Sequence, residues 1–367
     1  MDKAPEMINF GSSFIVPSVQ ELAKESIVSI PSRYVRDNGD QLEYPNSQSS
    51  SFSVPVIDLQ RLLHAEYIDS ELHKLHSACK EWGFFQVINH GVSTSLLETF
   101  EGEVINFFQL PLEEKKKLWQ QPDNHEGFGQ LFVVSEDQKL DWSDMFYITT
   151  LPPKLRQPEL FKNLPQKIRV TMEAYIEAVK DLAQTLLNQM AKALGIQEEE
   201  MVKLFSEGVQ SIRMNYYPPC PEPHKAIGFT PHSDADALTI LFQLNDTHGL
   251  QVRKDGNWVS IQPLEDAFVV NVGDIMEIVS NGVYRSIEHR AIVNSTKERL
   301  SVATFYSSNL DSELGPAKSI IGPLNPPAYR TELSEQYFKN FFARKLNGKS
   351  YLEDMKIQAE EPNTTLP

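Results

Sequence analysis

"PHSDADALTIL", Pro231 to Leu241, decides how the second half of this chain is read. Its apolar residues alternate as in a half-buried strand, yet His232 and Asp234 interrupt them. A strand sends residues two apart to one face, so as a single strand the stretch aims both groups where Leu238 and Ile240 point. Burying a polar group without a partner costs about 2–7 kcal/mol, and an uncompensated charge costs more. The rest of the chain must therefore supply a partner or a metal.

Working outward, the segments from Gln210 onward are short, rich in β-branched and aromatic residues, and separated by turn signals. "SIRMNYY", "ALTILFQL", "GLQVRK", "NWVSIQ", "AFVVNV", "IMEIVS", "VYRSIEH" and "LSVATFY" read as strands. "KDGNW" and "SNGVY" carry the Asp-Gly and Asn-Gly pairs that favour tight hairpins. So many short strands suggest a double-sheet jelly roll or barrel whose mouth can hold a ligand. Before this block the chain reads mainly as helix. "SVQELAKESI" is helix-like, "NSQSSSFS" a surface loop and "VPVIDLQ" a short strand. "DSELHKLHSACKEWG" and "STSLLETFEGEVINFF" have apolar residues at helical spacing, with the strand and turn "FFQVINHGV" between them. Gln166 to Leu194, closed by Gly195, is the strongest helix. "SEQYFKNFFARKL" near the end is helical again. The expected fold is α+β: a largely helical N-terminal region (1–205), a jelly-roll core (206–310) and a C-terminal helical extension (311–367), forming one integrated unit.

Composition narrows the partner. The chain has 367 residues, 41% of them hydrophobic, and a formal net charge of -16. Such a surface repels nucleic acid and anionic membranes, which leaves a small molecule as the expected ligand. No apolar run reaches the roughly 18–20 residues of a bilayer-spanning helix. Two cysteines, Cys79 and Cys220, far apart and without a secretory-type start before them, fit the reducing cytosol.

Of the nine histidines, eight could join His232 and Asp234. His64, His73 and His76 fall on a polar-faced helix or beside it and are expected to be solvated. His90 sits in a turn, and His125, His224 and His248 in loops. His289 differs, because "YRSIEHRAI" is strand-like and distant enough to return on a facing sheet. Two imidazoles and one carboxylate make the facial triad suited to non-haem Fe(II). His-x-Asp alone fits equally a core pair in which Asp234 orients His232. Further on, "RLS" places Arg299 and Ser301 on one strand face. A guanidinium fork beside a hydroxyl suits a buried carboxylate.

Together "NYYPPCP", "HSD", "EHR" and "RLS", with the upstream "CKEWGFFQVINHGV", closely resemble the plant 2-oxoglutarate- and Fe(II)-dependent dioxygenases, from about Pro17 to Ile357. "PSVQELAKE", "IPSRYVR", "EGFGQ", "SEDQKLDWSDMF" and "GPAKS" are most similar to the senescence-related group that includes the codeine and thebaine O-demethylases. The resemblance implies a distorted double-stranded β-helix in which His232, Asp234 and His289 hold iron. It also implies that Arg299 and Ser301 hold the distal carboxylate of 2-oxoglutarate, with Asn215 and Tyr217 facing this cosubstrate. Phe305 falls on the face of Ser301 and is the candidate stacking wall for substrate. Arg213, two before Asn215, and Tyr147 are further substrate candidates. The implied activity is hydroxylation or O-demethylation of a small aromatic alkaloid or flavonoid by a monomeric cytoplasmic enzyme. Fe(II), 2-oxoglutarate and O2 take part, ascorbate serves as reductant, and succinate and CO2 are released. The alternatives are a non-catalytic jelly-roll binding protein and an ascorbate-dependent oxidase of the same fold.

Overall fold

The helix Gln166–Leu194 forms as its sequence predicts and ends at Gly195, whose φ of 72° is the left-handed cap that stops a helix. Its apolar stripe, which includes Met172, Tyr175, Val179, Leu186 and Met190, is buried. Each large apolar side chain that leaves water in this way contributes about 1.5–3 kcal/mol. The computed structural model describes residues 13–25, 27–36, 53–121, 124–344 and 348–358; the Ser-rich run lies almost entirely outside them.

Against this helical layer packs a sheet of eight strands. They are β1 (Val56–Asp58), β2 (Phe84–Ile88), β3 (Gly127–Gly129), β4 (Asp144–Leu151), β5 (Gln210–Tyr217), β7 (Leu238–Gln243), β10 (Phe268–Val272) and β12 (Arg299–Tyr306). Their spatial order is β1-β2-β10-β7-β12-β5-β4-β3. A smaller sheet faces it, built from β6 (Phe229–His232), β8 (Leu250–Lys254), β9 (Asn257–Ser260) and β11 (His289–Ala291) in the order β6-β11-β8-β9. The fold is α+β with a double-stranded β-helix core, as expected.

Period-two alternation sorts the major sheet into two faces. Ile212, Met214, Leu238, Ile240, Val270, Leu300 and Val302 join the main apolar core with the long helix. Arg213, Asn215, Tyr217, Thr239, Leu241, Asn271, Arg299, Ser301 and Phe305 instead line a cavity between the sheets. The first half of the chain contributes β1 to β4 to this sheet. The sequence reading missed β3 and β4.

Five expectations need correction. Pro231 to Leu241 is two strands rather than one: β6 ends at His232 in the small sheet, residues 233–237 cross over, and β7 begins at Leu238 in the large one. The crossover changes the phase, so Thr239 and Leu241 face the cavity with His232 and Asp234, while Leu238 and Ile240 face the helical core. "IMEIVS" forms the helix Asp274–Val279, buried along its whole length, where a short apolar run carries no periodicity to betray its type. Its first amides are taken by the crossover: Asp274 N–H donates to Asp234 O (2.8 Å) and Ile275 N–H to Asp236 O (3.2 Å). Asn281 and Gly282 do take left-handed φ values of 53° and 83°, but they follow that helix and make no hairpin. Of "VYRSIEH" only His289 is in a strand, and His76 is half-buried, with Nδ1 3.2 Å from the Tyr284 hydroxyl. The "KDGNW" hairpin does join β8 to β9.

Candidate active site

Antiparallel pairing of β6 with β11 sets His232 directly opposite His289. Their ring centroids are 4.3 Å apart. His232 Nδ1 lies 2.8 Å from Thr230 O and His289 Nδ1 3.2 Å from Ile287 O. A carbonyl oxygen can only accept, so Nδ1 carries a proton in both rings and Nε2 is the ring atom left to act as a metal ligand. Those Nε2 atoms lie 3.4 Å and 3.7 Å from Asp234 Oδ1. The other carboxylate oxygen, Oδ2, accepts from Thr239 Oγ1 at 2.5 Å and Asn271 Nδ2 at 2.8 Å. Thr239 and Asn271 thus fix the carboxylate and turn Oδ1 toward the two Nε2 atoms.

The protonation states suit a cation. Burial, reinforced by neighbouring His232 and partly offset by Asp234, pushes His289 down to about 4, so its imidazole is neutral near pH 7. Burial alone would raise the Asp234 carboxyl, but His289, His232 and the Thr239 hydroxyl outweigh it and hold the group well below the usual carboxylate range. Two imidazoles and one anionic carboxylate, all buried and with ligand atoms within 4.8 Å of one another, form a donor set that fits Fe(II). Phe229 packs edge-on against His232 and Phe84 against His289, which shields this end of the cavity.

The same cavity holds a guanidinium at a second position. Arg299 is 3% exposed, and its Nη2 donates to Gln243 Oε1 (3.1 Å). Nη1 is 3.4 Å from Ser301 Oγ, and Nε has no acceptor. Its carbon lies 5.2 Å from the centre of the Tyr217 ring, and Asn215 Nδ2 is 3.4 Å from Ser301 Oγ. Gly249 makes room, since a Cβ there would stand 2.7 Å from Arg299 Cδ. A buried guanidinium whose Nε lacks an acceptor, beside a hydroxyl, fits the free carboxylate of 2-oxoglutarate.

Of the residues singled out in the sequence, His232, Asp234, His289, Arg299, Ser301, Asn215, Tyr217, Phe305 and Arg213 all line this cavity. Tyr147 does not; it pairs with Arg213 across β4 and β5, and its hydroxyl donates to Ser211 Oγ at 2.9 Å. Thr239, Asn271, Gln243 and Gly249 escaped the sequence reading. Asn271 and Thr239 did leave a trace, as polar residues in the otherwise mostly apolar strands "AFVVNV" and "ALTILFQL". A second cleft, lined by Met201, Leu204, Val279 and Pro316 among others, contains none of the predicted residues. Among the described residues no helix is long and apolar enough to cross a membrane.

Residues 208–308 match the family model of the 2OG-Fe(II) oxygenase superfamily, and residues 54–167 that of the non-haem dioxygenase in morphine synthesis N-terminal region. The chain is 51% identical to Protein SRG1 of Arabidopsis thaliana, covering 94% of this chain and 98% of that one. It is also 51% identical to oxoglutarate-dependent flavonoid 7-O-demethylase 1 of Ocimum basilicum (95% and 93% covered). With codeine O-demethylase of Papaver somniferum it shares 49% identity (97% and 100% covered). Among solved structures, JOX2 in complex with 2OG, Fe and JA superposes with a TM-score of 0.84 at 34% identity, covering 94% of this chain and 98% of that one.

Proposed function

The chain belongs to the 2OG-Fe(II) oxygenase superfamily and is a 2-oxoglutarate-dependent dioxygenase, and from that premise we propose that it oxidises a C–H bond of a small aromatic metabolite, in the first instance a methoxy carbon. Hydroxylation of a methoxy carbon yields a hemiacetal that collapses to a phenol and formaldehyde, so O-demethylation and hydroxylation differ only in which carbon is presented. In this reading His232, Asp234 and His289 hold Fe(II), and Arg299 with Ser301 holds the distal carboxylate of the cosubstrate. Bound there, Fe(II) with 2-oxoglutarate supplies the capacity to activate O2, with release of succinate and CO2 and with ascorbate as reductant.

The residues of the chain bind, orient and exclude water. Asn215 and Tyr217 stand beside Arg299 and Ser301 in the β5–β12 register, Tyr217 opposite Arg299 and Asn215 opposite Ser301, and face the cosubstrate. Phe305, paired with Thr239, offers a ring on which an aromatic substrate stacks beside the triad. The single observation that carries the proposal is the convergence in one cavity of the His-Asp-His set, an arginine with an unpartnered Nε and that ring. The names of the relatives favour demethylation of a flavonoid or an alkaloid. A monomeric cytosolic enzyme belongs to the same reading, as does the division into regions 1–205, 206–310 and 311–367.

The test is to incubate the protein with Fe(II), 2-oxoglutarate, ascorbate and a panel of methoxylated flavonoids and alkaloids, following succinate and formaldehyde together. Equimolar succinate and formaldehyde are expected with at least one substrate. Succinate without formaldehyde would replace demethylation by hydroxylation. No substrate-stimulated succinate across the panel would refute the proposal.

A further inference from the structure

Arg213 sets a charge problem that the chain leaves unsolved. It lies in the middle of β5, between Ala303 on β12 and Tyr147 on β4. It is 5% exposed and lines the cavity that holds the His-Asp-His set. A buried guanidinium is costly unless an opposite charge and hydrogen bonds compensate it. Yet its Nε has no acceptor, and among the described residues no carboxylate lies within ion-pair distance.

The carboxylates nearest in electrostatic influence are already engaged. Asp141 is tied to Arg36 Nη2 at 2.5 Å and to the Thr230 hydroxyl at 2.7 Å. Asp234 is held through Oδ2 by Thr239 and Asn271, and its Oδ1 points at the two imidazoles. What Arg213 does have is the Phe229 ring, 3.9 Å from its guanidinium carbon. A ring face attracts a cation, and this one covers one face of the fork, but it offers no acceptor to the N–H groups along the edges. In the proposed reading one carboxylate of the cosubstrate is held by Arg299 and the other by the metal, and neither is assigned to Arg213.

We propose that the substrate carries an anionic oxygen group, a carboxylate or an ionised phenol, and that Arg213 binds it and thereby presents the reacting carbon to the triad. The inference rests on reading the cavity as the dioxygenase site, and it deepens the substrate class from aromatic metabolite to aromatic anion. Arg213 is then a specificity-determining residue. A planar fork clamped against Phe229 selects for an oxygen pair or a single strong acceptor approaching in its plane.

The test is equilibrium binding under argon to the protein loaded with Fe(II) and 2-oxoglutarate, at mildly alkaline pH. The probes are para-methoxycinnamate against its methyl ester, and a methoxyflavone with one free phenol against its fully methylated form. The wild type is expected to bind the anionic member of at least one pair about tenfold or more tightly. Which pair shows the preference separates carboxylate from phenolate. Arg213→Gln should erase it and Arg213→Lys retain part of it, with 2-oxoglutarate affinity unchanged in both. Uptake of 2-oxoglutarate by the variant reports an intact site, and Arg213→Lys stands in if the Gln variant does not fold.

Equal affinity within both pairs, a preference that survives Arg213→Gln, or failure of every anionic probe to bind would overturn the proposal. So would a matching loss of 2-oxoglutarate affinity in either variant, which would assign the guanidinium to the cosubstrate. Because no oxygen is present, the result does not depend on which bond is oxidised. Failure of the demethylation reading would appear in the formaldehyde assay and leave this binding result intact.

Discussion

Thr239→Val tests whether the carboxylate clamp makes the metal site. The substitution keeps the shape of the side chain and the β-branched strand residue but deletes the hydroxyl that donates to Asp234 Oδ2 at 2.5 Å. Thr239 is 4% exposed, so no bulk water replaces the lost donor. A hydrogen bond to a buried charged group is worth about 1.5–3 kcal/mol. Asn271 Nδ2 would then hold Oδ2 alone, and Asp234 could rotate away from the two Nε2 atoms. Converted to affinity, the loss corresponds to a roughly 10- to 150-fold weaker hold on Fe(II), in line with what outer partners of metal ligands usually contribute. Anaerobic titration of the apoprotein with Fe(II) at saturating 2-oxoglutarate measures it directly. The affinity should fall, and the thermal midpoint of the apoprotein should fall with it, because the buried carboxylate loses the same donor when no metal is bound. Unchanged Fe(II) affinity in a folded variant would refute the clamp.

Other consequences follow from the same geometry. His232→Ala and Asp234→Ala should each abolish succinate formation while circular dichroism still shows the fold; activity surviving in a metal-stripped, iron-replenished sample would contradict the assignment. Arg299→Lys replaces a fork by a point charge and loses the bond to Gln243, so the KM for 2-oxoglutarate should rise by about one to two orders of magnitude with a smaller effect on kcat. Gly249→Ala drives a Cβ to 2.7 Å from Arg299 Cδ and 2.9 Å from Ile292 O, and should raise the same KM and lower stability by about 1–3 kcal/mol. Burial, partly offset by Thr149, pushes the Glu126 carboxyl up to about 7. Its folded form therefore holds a proton that the unfolded chain releases near pH 4.5, and stability falls as pH rises from about 4.5 to 7. Asp236 and Asp274 are pushed up to about 7 by burial as well, so Glu126→Gln should reduce the slope by its own share, on the order of 3 kcal/mol at most, and denaturant midpoints taken across this range will show whether it does.

How much was legible in the sequence depends on whether a signal was local. The long helix announced both its period and its stop, and "KDGNW" announced its hairpin, since each rests on residues that touch one another along the chain. "IMEIVS" was misread because all six residues of the helix Asp274–Val279 are buried, which erases the alternation that separates helix from strand. Pro231 to Leu241 was misread because a chain that crosses from one sheet to the other keeps its apolar rhythm while changing which face each residue meets. The His-Asp-His set was nevertheless findable, as polar residues at inward positions demand a partner. Its supports were not: Thr239 and Asn271 act through a pairing of β7 with β10 that no local pattern reveals. Gly249 matters only because Arg299 arrives beside it from far along the chain.

The most direct test of the central claim is iron stoichiometry. The apoprotein is loaded with Fe(II) and 2-oxoglutarate under argon, freed of unbound metal by gel filtration and analysed for iron, alongside His232→Ala, Asp234→Ala and His289→Ala. One iron per wild-type chain and close to none in each variant is the predicted result. Full iron occupancy in any of the three folded variants, or none in the wild type, would contradict it.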